Sequence, residues 1–247
     1  GEVRIESSRV LSAYYGTSYT DYGLYIEDSH VVVSDTLIAY NGDTTGDYAL
    51  YVYDGGTVLT ATHNTFQDNN GYAIRLNAGN LHRITDNTFS GNGYDRIRIF
   101  DSDIGVDTDL TAQVGLEGYQ FQNDLVVPTG MTLTVEPGVQ MMGEGYRELQ
   151  VYGHLGAVGT ATEPITFTSS LDSGPQQWAG LVFNGGTGNL KHVTVRYGGD
   201  GSNSVLPSGS SGSNIAVKDV LTGEVRIESS RVLSAYYGTS YTDYGLY

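Results

Sequence analysis

The sequence contains no cysteine, few basic residues and no long apolar run, and each shortage excludes a class of protein. Without cysteine the chain has no disulfides, no thiolate zinc site and no cysteine nucleophile. Its 12 basic residues face 28 acidic ones, for a formal net charge of -16 at pH 7. We therefore expect no nucleic-acid partner, because phosphate contacts need clustered Lys and Arg. No apolar run reaches the roughly 18 residues of a membrane-spanning helix, so we expect no membrane span.

The residues that are abundant indicate a folded chain rich in β-strands. Apolar residues make up 39% and aromatic residues 11% of the 247 residues, and 20 of the aromatic residues are tyrosine. This composition is typical of β-structure and not of a disordered chain. The length suffices to bury a core. The chain begins at Gly1, inside a repeated pattern and without an initiator Met, which indicates a fragment or a processed piece.

A long repeat is the first organising feature. Residues 1–25 recur without a single change as residues 223–247, an offset of 222 residues. One explanation is an overlap introduced by cloning or design, and the other is a window on a tandem array with a 222-residue period. Repeat architectures are the usual source of such self-similarity. We therefore predict that residues 1–222 are one repeat unit and residues 223–247 the start of the next.

A shorter period divides the unit. Segments starting at Gly23, Ala49 and Ala73 each open with a short strand of apolar residues two apart, followed by a second strand and a turn rich in Gly, Asn and Asp. Extending the division gives eight segments, with starts at 23, 49, 73, 96, 125, 149, 179 and 214. Such short segments cannot bury their own apolar faces, and no helical periodicity appears. The pattern predicts an all-β chain folded as a right-handed parallel β-helix (a β-solenoid), whose eight coils advance about 38 Å per unit.

In a parallel β-helix equivalent residues stack in columns, and the segments predict which ones. The predicted inward columns are Leu24, Leu50, Ile74, Ile97 and Leu149, and Ile26, Val52, Leu76, Ile99 and Val151. The outward column between them is Tyr25, Tyr51, Arg75, Arg98 and Gln150, beside a second file of Tyr22, Tyr48 and Tyr72. A corner ladder contains Asn64 and Asn87, in register with Asp35 and Ser8. We interpret these files as structural ladders that hold neighbouring coils together; the alternative is a surface on which sugars stack.

Residues 125–200 resemble a known family. The stretches that carry the resemblance are LVVPTGMTLTVEPGVQMM, GHLGAVGTATEPITFTSS, WAGLVFNGG and LKHVTVRYGG. They are similar to the repeats of secreted bacterial right-handed β-helix proteins, and residues 23–104 are similar to a looser N-T-F-x-x-N form of the same class. The resemblance implies a β-helix exported to the cell surface as part of a large protein. It implies no particular activity, because the family is mostly of undefined biochemical role.

A search for catalytic motifs favours a protein that is not an enzyme. The arginine and carboxylate strings typical of pectate lyases do not occur, and Gly153-His154-Leu155-Gly156 is a poor match to the polygalacturonase pattern. There is no G-x-S-x-G elbow and no phosphate-binding glycine loop. Five histidines occupy unlike positions, so we interpret them as structural; they are His30, His63, His82, His154 and His192.

One acidic run is a candidate calcium site. Asp101, Asp103, Asp107 and Asp109 alternate around Gly105, and a flexible loop of carboxylates can supply the six to eight oxygens that Ca²⁺ takes. The run is not an EF-hand, since Ala112 stands where the bidentate acid belongs. The alternative is a solvated acidic loop between coils.

Three functions are compatible with the pattern. The favoured one is a structural repeat of an extracellular filament, whose partners are identical units end to end. The second is an adhesin that binds surface glycans through an outward column of exposed rings, Tyr53, Phe100 and Tyr152. The third is a polysaccharide lyase or glycosidase.

The Gly- and Ser-rich residues 198–214 are predicted to form one long loop on a coil.

Overall fold

The computed structural model describes residues 1–14, 16, 19–200, 204–206, 210–234 and 242–246, with residues 210–211 and 242–246 described by their backbone only. Parts of the predicted loop at 198–214 and of the second copy at 223–247 therefore lie outside the described residues. The loop prediction is wrong for residues 210–214, which belong to a strand (Ser210–Lys218). The regular secondary structure of the described residues is β-strand throughout, apart from one short 3₁₀ helix (Ala78–Arg83). Within it, no helix has the length and apolar character needed to cross a membrane.

The strands follow one another with short connections. In chain order they are β1 (Glu2–Glu6), β2 (Arg9–Leu11), β3 (Tyr22–Ile26), β4 (His30–Ser34), β5 (Leu37–Ala39), β6 (Tyr48–Val52), β7 (Val58–Thr62), β8 (Thr65–Gln67), β9 (Tyr72–Leu76), β10 (Ile84–Thr85), β11 (Thr88–Ser90), β12 (Tyr94–Ile99), β13 (Thr108–Leu110), β14 (Gly118–Phe121), β15 (Leu125–Val127), β16 (Thr132–Val135), β17 (Gln140–Gly143), β18 (Glu148–Val151), β19 (His154–Val158), β20 (Ile165–Ser169), β21 (Gly180–Asn184), β22 (Thr187–Lys191), β23 (Val193–Arg196), β24 (Ser210–Lys218), β25 (Val225–Glu228), β26 (Arg231–Leu233) and β27 (Thr242–Leu246).

The strands form two compact bodies. The N-terminal body comprises Gly1–Phe100 and Ala112–Tyr119, and the C-terminal body comprises Asp101–Thr111 and Gln120–Tyr247. In the N-terminal body three parallel ladders run β1-β4-β7-β10, β2-β5-β8-β11 and β3-β6-β9-β12. Each turn of the chain thus adds one strand to each of three sheets, which is the topology of a parallel β-helix.

The C-terminal body repeats this arrangement. Its ladders include β13-β16-β19-β22-β25, β15-β18-β21-β24-β27 and β17-β20-β23-β26, and the strand pairs are again parallel. The all-β, parallel β-helix prediction is confirmed. The eight segment starts derived from the sequence fall in or next to every third strand: β3, β6, β9, β12, β15, β18, β21 and β24.

The predicted columns occur within the N-terminal body. Leu50 pairs with Leu24 on one side and with Ile74 on the other, and Ile74 pairs in turn with Ile97. Leu50, Ile74 and Ile97 are fully buried. Since side chains alternate along a strand, the residues between these apolar positions point outward, and Tyr51 is in register with Tyr25 and Arg75.

The extension of these columns to Leu149, Gln150 and Val151 is wrong. These residues belong to β18, where Leu149 pairs with Leu125 and Leu181. That ladder contains none of β3, β6, β9 or β12. Every face of a β-helix shows the same alternation of apolar and polar residues, so the alternation indicates which side chains point inward but not which of the three sheets a strand joins.

The corner ladder also differs from its prediction by one residue. Asp35 lies in the left-handed region (φ 51°), as do Ser7, His63 and Asp86 at the equivalent corners. The residue after each of these occupies the ladder, so Thr36, and not Asp35, is in register with Asn64 and Ser8. Asp and Asn tolerate positive φ better than most residues, which explains why an acidic residue stands at the turn while the hydrogen-bonding position follows it.

Candidate functional site

The most distinctive surface is the outward side of β3, β6, β9 and β12, which we call the tyrosine face. The rings of Tyr25 and Tyr51 stack with centroids 5.8 Å apart and an interplanar angle of 11°. Beside them Tyr48 stacks on Tyr22 at 6.4 Å and on Tyr72 at 5.6 Å. The structure thus brings both predicted tyrosine files together on one sheet.

The file of Tyr22, Tyr48 and Tyr72 continues to Tyr94, which the alignment of the segments within the sequence did not include. Its ring stacks on Tyr72 with centroids 4.4 Å apart. The spacing between the tyrosine and the first inward residue is two in β9 but three in β12, and the register shifts between Tyr94 and Ile97. That irregularity hid the equivalence of Tyr94 with Tyr72.

Two arginines complete the tyrosine face. The Arg75 guanidinium lies 4.5 Å from the Tyr51 ring centroid and 4.1 Å from that of Phe100, and it donates a hydrogen bond to the Val52 carbonyl (2.9 Å). Burial is the main cause that lowers the pKa of Arg75 below its usual value. Arg98 lies 4.8 Å over the Tyr72 ring. Each cation is held between coils by a ring of a neighbouring coil, which is the contact expected of a structural ladder.

The three rings suggested for glycan binding are not one column. Tyr53 follows β6 and is 52% exposed, whereas Phe100 follows β12 and is partly covered by Arg75. Tyr152 follows β18, in a ladder that excludes β6 and β12, so the shared column is wrong for the reason given for Leu149. Glycan binding by the tyrosine face stays a prediction.

Amide side chains form the first of two buried ladders. The Asn64 side-chain amide donates to Asn87 Oδ1 (3.1 Å), and the Asn87 amide donates to Gln113 Oε1 (3.0 Å). Each amide oxygen also accepts a backbone N–H from the coil before it, as in the bond from Thr36 N–H to Asn64 Oδ1 (3.0 Å). The ladder therefore satisfies the backbone at a corner where the strand hydrogen bonds are interrupted.

A second amide ladder lies five residues further along each coil and was missed. The Asn41 amide donates to Asn69 Oδ1 (2.9 Å), and the Asn69 amide donates to Asn92 Oδ1 (2.7 Å). The signal was present in the N-T-F-x-x-N motif, whose first Asn gives one ladder and whose second gives the other.

One buried acid stands apart from the ladders. Glu148 in β18 is only 5% exposed, its Oε1 accepts a hydrogen bond from Gln150 Nε2 (2.7 Å), and both its oxygens lie 3.3 Å from the Ser204 N–H. Burial raises the pKa of Glu148, and the charge of Asp124 adds to the effect. A buried carboxyl with a raised pKa is a feature that general acids share. No pattern in the sequence predicts this burial.

The raised pKa predicts a pH-dependent stability. Because burial disfavours the charged form, Glu148 lowers stability above its folded-state pKa, and the loss disappears as pH falls toward the usual glutamate pKa of about 4.3. We expect Glu148→Gln to raise the melting temperature at pH 7 by roughly 2–4 °C, or about 1 kcal/mol, and the gain to shrink as pH falls. Thermal unfolding between pH 4.5 and 7.5 measures it.

The control for this prediction is Glu163→Gln, which removes a charge from an exposed glutamate instead of a buried one. A Glu148→Gln difference that stays constant across the pH range would contradict the assignment of the titration to Glu148.

A second acidic group was not anticipated. Oxygen atoms of Asp21, Asp43 and Asp47 lie within 4.8 Å of one another, the only such group of three potential metal ligands in the part of the chain that the structure describes. Asp47 accepts N–H bonds from Asp21 (2.9 Å), Asp43 (2.8 Å) and Thr44 (2.7 Å). Asp43 Oδ1 is buried without a hydrogen-bond partner, and burial together with the other two carboxylates raises the pKa of Asp43.

The predicted calcium residues are not gathered in this way. Asp103 forms a bridge with Val126, Asp109 lies in β13, and Asp107 accepts the Thr132 N–H (2.7 Å). Together with Asp101 they form no group of three converging ligands among the described residues. Calcium binding by Asp101, Asp103, Asp107 and Asp109 stays a prediction.

Parallel coils of three strands, joined by amide and aromatic ladders, define a β-helix protein. Comparison with protein families agrees: residues 1–124 match the model described as a right handed beta helix region, and residues 105–208 match one described as a pectate-lyase like beta helix domain. The chain belongs to the right-handed β-helix family. Comparison with curated proteins finds no match, and comparison with solved structures finds none either.

Both ends of the chain carry the same segment in different pairings. In the N-terminal body β1 pairs with the strand that follows it, Ile5 opposite Val33, and β2 pairs with β5, Val10 opposite Ile38. In the C-terminal body the second copy of these strands pairs with the strands that precede it: Ile227, the equivalent of Ile5, is opposite Leu190. Val232, the equivalent of Val10, is opposite Val195. One sequence thus forms parallel pairs in both directions.

Proposed function

We propose that residues 1–222 are one repeat unit of an extracellular, non-enzymatic surface fibre, in which identical units stack end to end as a continuous right-handed β-helix. The observation that supports the proposal most is the double pairing of the repeated segment. A coil of this sequence fits after β22 and β23 and also before β4 and β5. Cell-surface export enters the proposal from the resemblance of residues 125–200 to secreted bacterial β-helix repeats.

The apolar columns support the same junction. In an array, one isoleucine would lie between Leu190 of one unit and Val33 of the next, since Ile227 pairs with the first and its copy Ile5 with the second. One valine would likewise lie between Val195 and Ile38, as Val232 and Val10 do separately. A parallel strand can use both of its edges at once, so the two observed pairings are compatible in a single coil.

A chain of two units, residues 1–222 followed by residues 1–247, tests the proposal by hydrogen exchange. In the 247-residue chain β25 is the end strand of its ladder among the described strands, so its amides that point away from β22 face no described coil. In the two-unit chain the same segment lies between coils, so we expect those amides to become as protected as the amides of β4. A junction that exchanges as fast as the free end, with the two units unfolding separately, would contradict a continuous helix.

Action on a polysaccharide is the second candidate function. It is favoured by the pectate-lyase-like description of the model that matches residues 105–208 and by the buried Glu148 within that range. Product formation from pectin that is lost in Glu148→Gln would support it, and activity equal in the two proteins would remove Glu148 from the mechanism.

A further inference from the structure

The end of the C-terminal body shows how the repeated segment is bound. The second copy joins β22 in register, with Gly188 opposite Val225 and Leu190 opposite Ile227. Between β25 and β26 the Ser230 hydroxyl oxygen accepts the Val193 N–H (3.0 Å) while the hydroxyl donates to the Glu228 carbonyl (2.7 Å). Backbone, apolar and corner contacts thus all take part in holding residues 225–233.

The first copy has the same local structure on its exposed side. Ser8, the equivalent of Ser230, donates to the Glu6 carbonyl at the same distance (2.7 Å) and is exposed. Its oxygen is therefore arranged as in the copy that accepts the Val193 N–H. Among the described strands, β1 and β2 are the end strands of their ladders. The strand edge that pairs with β22 and β23 in residues 223–247 is therefore available in residues 1–25.

Apolar side chains are also open at this end of the N-terminal body. A shallow cavity of about 330 Å³ is lined by Ile5, Leu24, Ile26 and Val31, among others, together with Val3. Val3 is 55% exposed, whereas its copy Val225 is half-buried. Exposed apolar surface next to an unpaired strand edge is the usual mark of a surface that pairs with another chain.

We propose that residues 225–233 act as an exchangeable coil that covers the end of β22 and β23, and that the equivalent residues 3–11 of a second copy of this chain bind the same end when the coil is displaced. The inference rests on the proposed end-to-end stacking and adds a non-covalent route to it. The occupant is identified by its sequence, since the segment bound at this end and residues 1–25 of another copy are identical.

A chain that carries both copies of the segment favours its own second copy at this end. A segment attached by a short linker competes at an effective concentration in the millimolar range, while a second copy is present at micromolar concentration. The contacts offered by the two segments are the same, so the attached one occupies the end. A change that weakens only the attached copy makes the site available to residues 1–25 of another molecule.

The test uses the same substitution in each copy of the full chain. Ile227→Asp places a charge opposite Leu190 and weakens the attached coil, so we expect this variant to form head-to-tail oligomers that grow with concentration in sedimentation velocity. Ile5→Asp weakens the segment that binds in trans, so we expect this variant to stay monomeric like the unsubstituted chain. The double variant should also be monomeric.

A labelled peptide of residues 1–25 provides a second measurement. We expect it to bind the Ile227→Asp variant with a Kd in the micromolar range. Its affinity for the unsubstituted chain should be lower by a factor of about ten or more. Equal binding to both proteins, a monomeric Ile227→Asp variant, or oligomers in the double variant would each overturn the exchange. None of those results would change the hydrogen-exchange protection expected at the junction of the two-unit chain. Failure of this inference is therefore distinguishable from failure of the proposed function.

Discussion

Asn69→Ala is expected to lower the free energy of unfolding by about 3 kcal/mol or more. Asn69 is 1% exposed. Its Oδ1 accepts the backbone N–H of Asn41 (3.0 Å) and the Asn41 side-chain amide (2.9 Å), and its own amide donates to the Ile38 carbonyl (3.0 Å) and to Asn92. Alanine leaves these buried groups without partners, and each unsatisfied group costs about 1–3 kcal/mol.

The neighbouring residue supplies a matched control. Asn70 is exposed and donates one hydrogen bond to the Gly42 carbonyl (2.7 Å), so Asn70→Ala should change the unfolding free energy by about 1 kcal/mol or less. Urea unfolding followed by circular dichroism compares the two variants at equal side-chain loss. If Asn69→Ala and Asn70→Ala are equally stable, the amide ladder is not a main source of coil-to-coil stability.

Gly71→Ala is the second substitution expected to have a large effect, about 3 kcal/mol of destabilisation. A Cβ at Gly71 would collide with the carbonyl oxygen of Asp47 and lie 2.5 Å from its carbon. The neighbouring Tyr72 N–H donates to that same carbonyl (2.8 Å), so the two backbones are held together where the side chain would have to fit. Backbone cannot move aside as a flexible side chain can, and the coils would have to separate.

Gly79→Ala is the control for Gly71→Ala. A Cβ at Gly79 meets nothing within 4 Å, and we expect its melting temperature to stay within about 2 °C of the original, against a loss of roughly 6–12 °C for Gly71→Ala. Thermal unfolding of both variants decides the matter, and a Gly71→Ala protein as stable as Gly79→Ala would show that the coil spacing at Asp47 is easily adjusted.

The sequence alone determined the period and the inward or outward direction of most side chains. The apolar residues two apart at Leu50 and Val52 defined one strand, and their recurrence defined eight coils, because one strand of each coil has to repeat its pattern to stack on the coil before it. The stacking of Tyr25 on Tyr51 and of Arg75 over Tyr51 was predictable for the same reason.

Only the tertiary structure decided which strand joins which sheet and which distant residues meet. Leu149 has the alternation of the Leu50 column but pairs with Leu125 and Leu181, because every face of the helix has the same period of two. Tyr94 was hidden by one extra residue in β12. The meeting of Asp21 with Asp47 and the burial of Glu148 depend on turn lengths and on loop position. A periodic sequence specifies its repeating contacts locally, whereas these features arise where the period is interrupted, and there the packing of the whole coil decides.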